Sequence, residues 1–289
     1  LKRIDPGPNQ FDQAAAFKPH VVLVHLEGLG EHSRMGMERL AGLPGEPPIV
    51  VIADPSPPPC LAELLDRPWF DHLMGAQSPW FMQELAITLA TLTGRPLFGL
   101  EKYLPWGSRI IEIPITGSAA KDPAFDQITD FMRAIGVRGR LVDRLCAVAD
   151  ELLMNAIYDA PVDRRTGEAR YHQLPRSTPV VLDADEQPVL RFGSDGQRFG
   201  VSVRDPFGAL SPTTFKSYIA KGLRRGEDQI DAKVGGAGLG LYLLFSSLGT
   251  MVLNVHRRRQ TEVIGLVDIR GSFRDLQRAP RSLHVFERR

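Results

Sequence analysis

The sequence predicts a protein of two parts: an α/β unit with a doubly wound sheet, then an α+β sandwich with helices on one face of a mixed, mainly antiparallel sheet. In residues 18–105, short apolar runs alternate with helix-compatible segments, which is typical of a parallel sheet. Residues 108–289 instead combine alternating strands with amphipathic helices. Pro105-Trp106-Gly107-Ser108 separates the two patterns. We therefore place the domains at residues 1–105 and 108–289.

In the first part, the apolar runs at residues 20–25 and 48–53 predict buried parallel strands. We expect helices at residues 33–42 and 80–92, a helical turn at 60–65 and a short strand at 72–74.

In the second part, the turn chemistry of residues 194–197 predicts a hairpin between strands at 189–192 and 199–204. Residues 161–186 are polar and rich in proline, so we interpret them as an inserted loop. The remaining expected strands lie at 109–115, 250–256, 262–269 and 283–286, and the remaining helices at 124–135, 141–160, 211–221 (with Ser211 as N-cap) and 239–248.

The composition is that of an ordinary globular protein, with 43% hydrophobic residues, 24% charged residues and a formal net charge of +1. This balance gives no general attraction to nucleic acid or membranes, and we expect neither as a partner. Cys60 and Cys146 lie far apart in sequence, which fits a reduced, cytoplasmic protein. No apolar run approaches membrane-spanning length.

The helix predicted at 141–160 carries a line of polar groups beside its apolar stripe. Glu151, Asn155 and Asp159 fall at positions i, i+4 and i+8 and therefore stack along one face. A carboxylate one turn from a carboxamide can face a metal-bound ligand. For this helix alone, a solvated face is the simpler interpretation.

A glycine-rich stretch, Gly235-Gly236-Ala237-Gly238-Leu239-Gly240, leads directly into an apolar helical segment. Glycines let backbone N–H groups approach an anion, and a helix start adds unsatisfied donors. The spacing matches neither a dinucleotide-binding fingerprint nor a P-loop, because no Lys-Ser/Thr follows the glycines. The stretch alone indicates a turn or a phosphate site.

Taken together, these motifs resemble the GHKL ATPase fold of gyrase, histidine kinases and mismatch-repair ATPases. Glu151-x-x-x-Asn155, then Asp205 at a strand end, then Gly236-x-Gly238-Leu239-Gly240 occur in the order of that fold's N, G1 and G2 boxes. The segment from Ile111 to Glu151 most resembles the anti-sigma-factor serine kinases. The resemblance covers residues 108–289.

The resemblance implies ATP and Mg²⁺ as ligands. It implies that Asn155 holds Mg²⁺, that Glu151 activates an incoming hydroxyl or water, and that Asp205 accepts a hydrogen bond from the adenine amino group. The other nucleotide contacts that it implies are Phe207, Gly208, Gly236, Gly238, Leu239, Gly240 and Thr261.

Two features depart from the family pattern. Phe207 and Ala209 stand where the G1 box has glycines, and Tyr158 and Asp159 stand where many relatives have a lysine or histidine after Asn155. Positive charge for the phosphates could instead come from cations near the glycine stretch, and for each of these a solvated surface charge is the simpler interpretation. The candidates are Lys216, Lys221, Arg224, Arg225 and Lys233.

Residues 19–28 resemble the third strand of a response-regulator receiver domain. The phospho-acceptor aspartate would fall at His25, the Ser/Thr position at Ala53 and the conserved lysine near Gly75. The resemblance implies a receiver-like domain that is incomplete at its N-terminus and cannot be phosphorylated. An unrelated small α/β domain is the alternative.

The leading functional hypothesis is a signalling protein that binds ADP and ATP and transfers a phosphoryl group to a serine or threonine of a partner protein. In-chain histidine phosphorylation is disfavoured, because the candidate helices at residues 80–92 and 124–135 contain no histidine. The alternative is a non-catalytic, nucleotide-dependent regulator. A homodimer is one possible assembly.

Overall fold

The computed structural model describes residue 4 and residues 10–26, 31–54, 57–137, 139–225 and 239–288, without the side chains of residues 31–34 and 225. The described strands are β1 (Val22–Leu26), β2 (Ile49–Ala53), β3 (Phe70–Gly75), β4 (Arg109–Pro114), β5 (Val189–Ser194), β6 (Arg198–Asp205), β7 (Thr250–His256), β8 (Gln260–Asp268) and β9 (Ser282–Arg288). The described α-helices are α1 (Gln10–Phe17), α2 (Glu31–Ala41), α3 (Leu61–Leu65), α4 (Phe81–Leu92), α5 (Lys121–Ala134), α6 (Arg140–Met154), α7 (Pro212–Arg225), α8 (Leu239–Ser247) and α9 (Phe273–Arg278).

These strands form one mixed sheet of nine strands in the order β1-β2-β3-β9-β7-β8-β6-β5-β4. The first three strands are parallel, as the continuous apolar runs predict. The β4, β5, β6, β8 and β7 strands pair antiparallel with their neighbours in that order. The class is therefore mixed α and β, with both parallel and antiparallel pairing.

The sheet continues across the predicted boundary between the two parts. Strand β9 lies between β3, with which it is antiparallel, and β7, with which it is parallel. At this junction His72 pairs with His284 and Leu73 with Leu283. The junction links residues more than two hundred positions apart, and nothing in the local sequence pattern indicates it.

One face of the sheet carries α5, α6, α7, α8 and α3 on a single large apolar cluster. Met251, Leu253 and Val255 of β7 point into this cluster, whereas Val252 between them points to the opposite face. That opposite face is covered by residues 97–104 together with apolar side chains of α4. The expected arrangement, with helices on one face only, therefore holds for α5–α8 but not for the sheet as a whole.

A buried carboxylate fastens the 97–104 segment to the sheet. Glu262 of β8 is fully buried, and its Oε2 accepts hydrogen bonds from the backbone N–H of Gly99 at 2.8 Å and from Nδ2 of Asn254 at 3.2 Å. The Ser202 hydroxyl donates to Oε1 at 3.2 Å. These bonds compensate the cost of burying the carboxylate.

The predicted helix at 141–160 changes its form before its end. Its α-helical part, α6, stops at Met154, and residues Asn155–Asp159 form one wider π-helical turn. A π turn inserts extra backbone, so Asp159 is rotated relative to the simple i, i+8 expectation. Helices α1 and α9 were not expected from the sequence, and Ser272 caps α9 in a capping box with Asp275.

Helix α7 is held against the first part of the chain by a buried lysine. The Lys216 Nζ donates to Asp71 Oδ1 at 2.8 Å, to the carbonyl oxygen of Phe70 at 3.0 Å and to that of Arg67 at 3.1 Å. Burial raises the pKa of Asp71, and the neighbouring lysine opposes that shift. Lys216 is buried, whereas Asp71 keeps about a third of its side chain exposed, so loss of the lysine mainly leaves the backbone carbonyl acceptors unpaired.

Lys216→Met should lower the free energy of unfolding by about 1–3 kcal/mol, because buried carbonyl acceptors lose their donor while the partly exposed Asp71 carboxylate can still be hydrated. Lys221→Met on the exposed side of the same helix is the matched control and should change it by less than about 0.5 kcal/mol. Asp71→Asn should recover part of the loss in the Lys216→Met background. Equal urea midpoints for the two lysine variants would contradict the structural role of Lys216.

Candidate functional site

A cavity of about 690 Å³ opens between the end of α6, helix α7, the start of α8 and the sheet. Six of the residues that the GHKL resemblance assigns to the site line it: Glu151, Asn155, Asp205, Leu239, Gly240 and Thr261. They come from α6, the π turn after it, β6, α8 and β8, so the cavity collects residues from separate elements. The predicted Gly236 and Gly238 lie outside the described residues.

The α6 side of the cavity is built by an amphipathic helix. Leu145, Leu152 and Leu153 are buried against the sheet, and this fixes the rotation of the helix. Glu151 and Asn155 therefore face the cavity. Burial raises the pKa of Glu151, while the charge of Arg176 and a hydrogen bond from Asn155 favour its ionised form. A carboxylate with a raised pKa is better suited to accept a proton near neutral pH.

Gly240 in the first turn of α8 is in tight contact with Glu151. A Cβ at position 240 would overlap the Glu151 carboxylate, so a side chain there is incompatible with this arrangement. The absence of a side chain lets the helix start approach the carboxylate closely.

The sheet side of the cavity presents a buried polar pair. Asp205 ends β6 and pairs across the sheet with Thr261 of β8. Burial raises the pKa of Asp205 to about 6, although hydrogen bonds from backbone N–H groups favour the carboxylate. The Thr261 hydroxyl lies near Asp205 and also favours its charge, but within the described residues no atom pairs with Thr261 Oγ1 in good hydrogen-bond geometry.

Phe207 and Gly208 support Asp205 from behind and are not among the described residues that line the cavity. Their N–H groups donate to Asp205 Oδ1 at 2.9 and 3.3 Å. Gly208 has φ +63°, and a Cβ there would overlap the carbonyl oxygen of His256. This glycine is therefore required by the close approach of the β7–β8 turn, and Phe207 is buried.

The loop at residues 161–186 supplies part of the cavity wall that sequence reasoning missed. His172, Leu174, Pro175 and Arg176 all line the cavity. The loop is fastened to the π turn, because Asp159 Oδ1 lies 2.9 Å from His172 Nδ1 and Asp159 Oδ2 accepts from Arg176 Nη2 at 2.6 Å. A polar loop has no periodicity, so no sequence signal distinguished these residues from solvated ones.

The cations proposed from sequence do not reach the cavity where the structure describes them. Lys216 is buried and bonded to the α3–β3 turn, and Arg224 bonds Asp66 and the carbonyl oxygen of Ala62. Both serve the contact between α7 and the first part of the chain, and neither lines the cavity. Lys216 is therefore not a solvated charge, whereas Arg224 is an exposed one that pairs with Asp66 at the surface. Lys221 is exposed. The side chain of Arg225 and all of Lys233 lie outside the described residues.

Across the part of the chain that the structure covers, no three His, Cys, Asp or Glu side chains are arranged to hold a metal ion. A metal at this cavity would therefore need oxygen ligands from a bound substrate, as Mg²⁺ commonly uses. None of the described helices is both long enough and apolar enough to cross a membrane.

No family model matches the sequence, and no curated protein is significantly similar to it.

The raised pKa of Asp205 gives a pH-dependent contribution to stability. The folded protein holds this proton more tightly than the unfolded chain, whose pKa is near 3.8, so the contribution favours folding below about pH 4 and is lost as pH rises through about 6. Asp205→Asn keeps Oδ1 as an acceptor and removes the buried charge. Relative to wild type, its free energy of unfolding should rise by up to about 3 kcal/mol between pH 4 and 7.

The measurement is urea unfolding at several pH values. The control is Asp183→Asn, an exposed aspartate whose difference from wild type should not vary with pH in this range. Parallel pH profiles for wild type and Asp205→Asn would show that the carboxylate is not buried as described.

Proposed function

We propose that the cavity binds Mg-ATP and that the protein transfers the terminal phosphoryl group to a serine or threonine of a signalling partner. The observation that supports this most directly is the cavity shared by Glu151 on α6, Asn155 on the π turn after it, Gly240 on α8 and the Asp205–Thr261 pair on the sheet. The three motifs of the GHKL resemblance are distant in sequence, and described members of each, namely Glu151 and Asn155, Asp205, and Leu239 and Gly240, line this one cavity. We infer that residues 108–289 form a GHKL-type nucleotide-binding domain.

The residues present fit an adenine nucleotide. A cavity of about 690 Å³ lies within the usual range for small-molecule sites, roughly 300–1,000 Å³. Asp205 offers a fixed, buried acceptor, and the unpaired Thr261 hydroxyl beside it offers a further hydrogen-bonding group. The Asn155 carboxamide oxygen is a hard ligand of the kind that Mg²⁺ accepts alongside phosphates and water.

The roles of the protein residues follow from their positions. Mg-ATP, when bound, would supply the phosphoryl group and neutralise its charge. Asp205 orients the base through its exocyclic amino group, and Asn155 orients the metal. Glu151 accepts the proton of the incoming hydroxyl. The oxygen of that hydroxyl forms the new bond to phosphorus as the bond between phosphorus and ADP breaks. Gly240 keeps the start of α8 close to this carboxylate.

For the first part of the chain we propose a receiver-like unit that cannot be phosphorylated. The three positions where the family's conserved residues would fall lie near the carboxyl ends of parallel strands: Leu26, next to His25, pairs with Ala53, and Ala53 pairs with Gly75. His25, Ala53 and Gly75 provide neither a carboxylate to accept a phosphoryl group nor an amine to pair with it. Its attachment to α7 through Lys216 makes it a candidate regulator of the nucleotide site.

Binding is tested by calorimetry of the intact protein with Mg-ADP and Mg-ATP. Asp205→Asn replaces an acceptor with a donor opposite the adenine amino group and should weaken binding by about tenfold or more. Because the acceptor must be ionised, wild-type affinity should fall as pH decreases below 6, by roughly tenfold per unit well below that value. Asp183→Asn is the control, and absence of nucleotide binding in the wild type would refute the proposal.

Glu151→Gln tests the catalytic step. Glutamine keeps the size of the side chain but cannot take a proton, so nucleotide affinity should stay within about twofold while hydrolysis or transfer falls at least roughly tenfold. Asn155→Ala should instead abolish Mg²⁺-dependent binding. The matched control is Glu168→Gln on the exposed loop, which should change neither quantity.

Rates are measured with labelled ATP, alone and with candidate partner proteins. A wild-type protein that binds ATP but neither hydrolyses it nor phosphorylates a partner would favour the non-catalytic regulator instead.

A further inference from the structure

The described wall of the cavity is poor in positive charge. Glu151, Asp159 and Asp205 all line it, and Arg176 is the one lysine or arginine among the described lining residues. A nucleotide polyphosphate would bring further negative charge to this wall. Even with Mg²⁺ present, its binding is favoured by a protein cation close to the phosphates.

Arg176 lies at the α6 end of the cavity. Its Nη2 donates to Asp159 Oδ2 at 2.6 Å, and its Nη1 donates to the carbonyl oxygen of Met154 at 3.4 Å. Its charge also acts on Glu151. These contacts place the guanidinium beside the residues assigned to metal and hydroxyl, and not beside the Asp205–Thr261 pair.

The backbone of Arg176 is fixed while its side chain stays accessible. The hydroxyl of buried Tyr158 lies 3.0 Å from the carbonyl oxygen of Arg176 and 2.8 Å from that of Thr178. The guanidinium carbon lies 5.0 Å from the centre of the Tyr158 ring, a cation–π contact. The side chain nevertheless remains 41% exposed, so a ligand in the cavity can reach it.

We propose that Arg176 binds the phosphate groups of the nucleotide. This inference rests on the proposed nucleotide site and adds a specificity determinant to it. Asp159 of the π turn holds this arginine of the 161–186 loop at the α6 end of the cavity. A guanidinium can bond two phosphate oxygens at once, so Arg176 selects di- and triphosphates over adenosine.

The test compares affinities for adenosine, AMP, ADP and ATP, with Mg²⁺, by calorimetry. Arg176→Ala should weaken the binding of ADP and ATP by at least roughly tenfold and change the affinity for adenosine by no more than about twofold, because only the phosphates lose a charged hydrogen-bond partner. The ATP affinity of Arg176→Lys should lie between those of the wild type and Arg176→Ala, since lysine keeps the charge but cannot bond two phosphate oxygens side by side as a guanidinium does. Arg165→Ala removes an exposed arginine of the same loop and should change nothing.

A second variant separates phosphate binding from simple anchoring of the loop. Asp159→Asn breaks the ion pair but leaves Arg176 in place, so ATP affinity should be kept or increased. If Arg176 only anchors the loop, Asp159→Asn would weaken ATP binding as much as Arg176→Ala does, and that result would overturn the inference. Equal losses for adenosine and ATP in Arg176→Ala would also overturn it, and thermal unfolding checks that each variant is folded.

Failure of this inference is distinguishable from failure of the nucleotide site. A wild-type protein that binds no adenine compound refutes the site and the role of Arg176 with it. A wild-type protein that binds ATP and loses no ATP affinity in Arg176→Ala refutes the role of Arg176 alone.

Discussion

The pairing of β9 with β3 on one side and β7 on the other is the contact that the rest of the structure depends on. It joins three parallel strands to an antiparallel set and makes one sheet of them. At the junction the buried rings of His72 and His284 meet, with their Nδ1 atoms 3.4 Å apart. Burial lowers the pKa of His284 to about 3 and lowers the pKa of His72 well below its ordinary value. Both rings are therefore neutral at physiological pH.

The two neutral histidine rings make the folded state less stable in acid. The unfolded chain takes up protons near pH 6.5, whereas the folded junction does not, so stability decreases as pH falls through that value. The Asp205 contribution has the opposite sign over a lower window, between about pH 4 and 6. The two groups together shape the acid side of the stability profile from different places in the sheet.

Local sequence patterns were sufficient for most elements because each pattern reports burial of one face. Continuous apolar runs gave β1 and β2, and alternation with turn chemistry gave the β5–β6 hairpin. The same reasoning brought Glu151 and Asn155 to one helix face. It could not find the β3–β9 junction, because the pairing of Leu73 with Leu283 depends on two segments that carry no local sign of each other.

Charged residues were the least predictable part of the site. The sequence singles out Lys216 as a candidate phosphate cation and gives no sign of Arg176, yet Lys216 is buried in a structural bond and Arg176 lines the cavity. Their roles depend on which acceptors the fold places nearby: Asp71 and backbone carbonyls for Lys216, and Asp159 for Arg176. Such partners are set by tertiary structure and leave no periodic trace in the sequence.

The pleat of strand β8 directs successive side chains to opposite faces of the sheet. Thr261 faces the cavity, and the next residue, Glu262, faces the opposite side and holds the N–H of Gly99. Both residues belong to one strand that is hydrogen-bonded on both sides, so a displacement of Glu262 acts on the strand that positions Thr261. The segment joining the two parts of the chain is thus mechanically linked, across the thickness of the sheet, to the floor of the cavity.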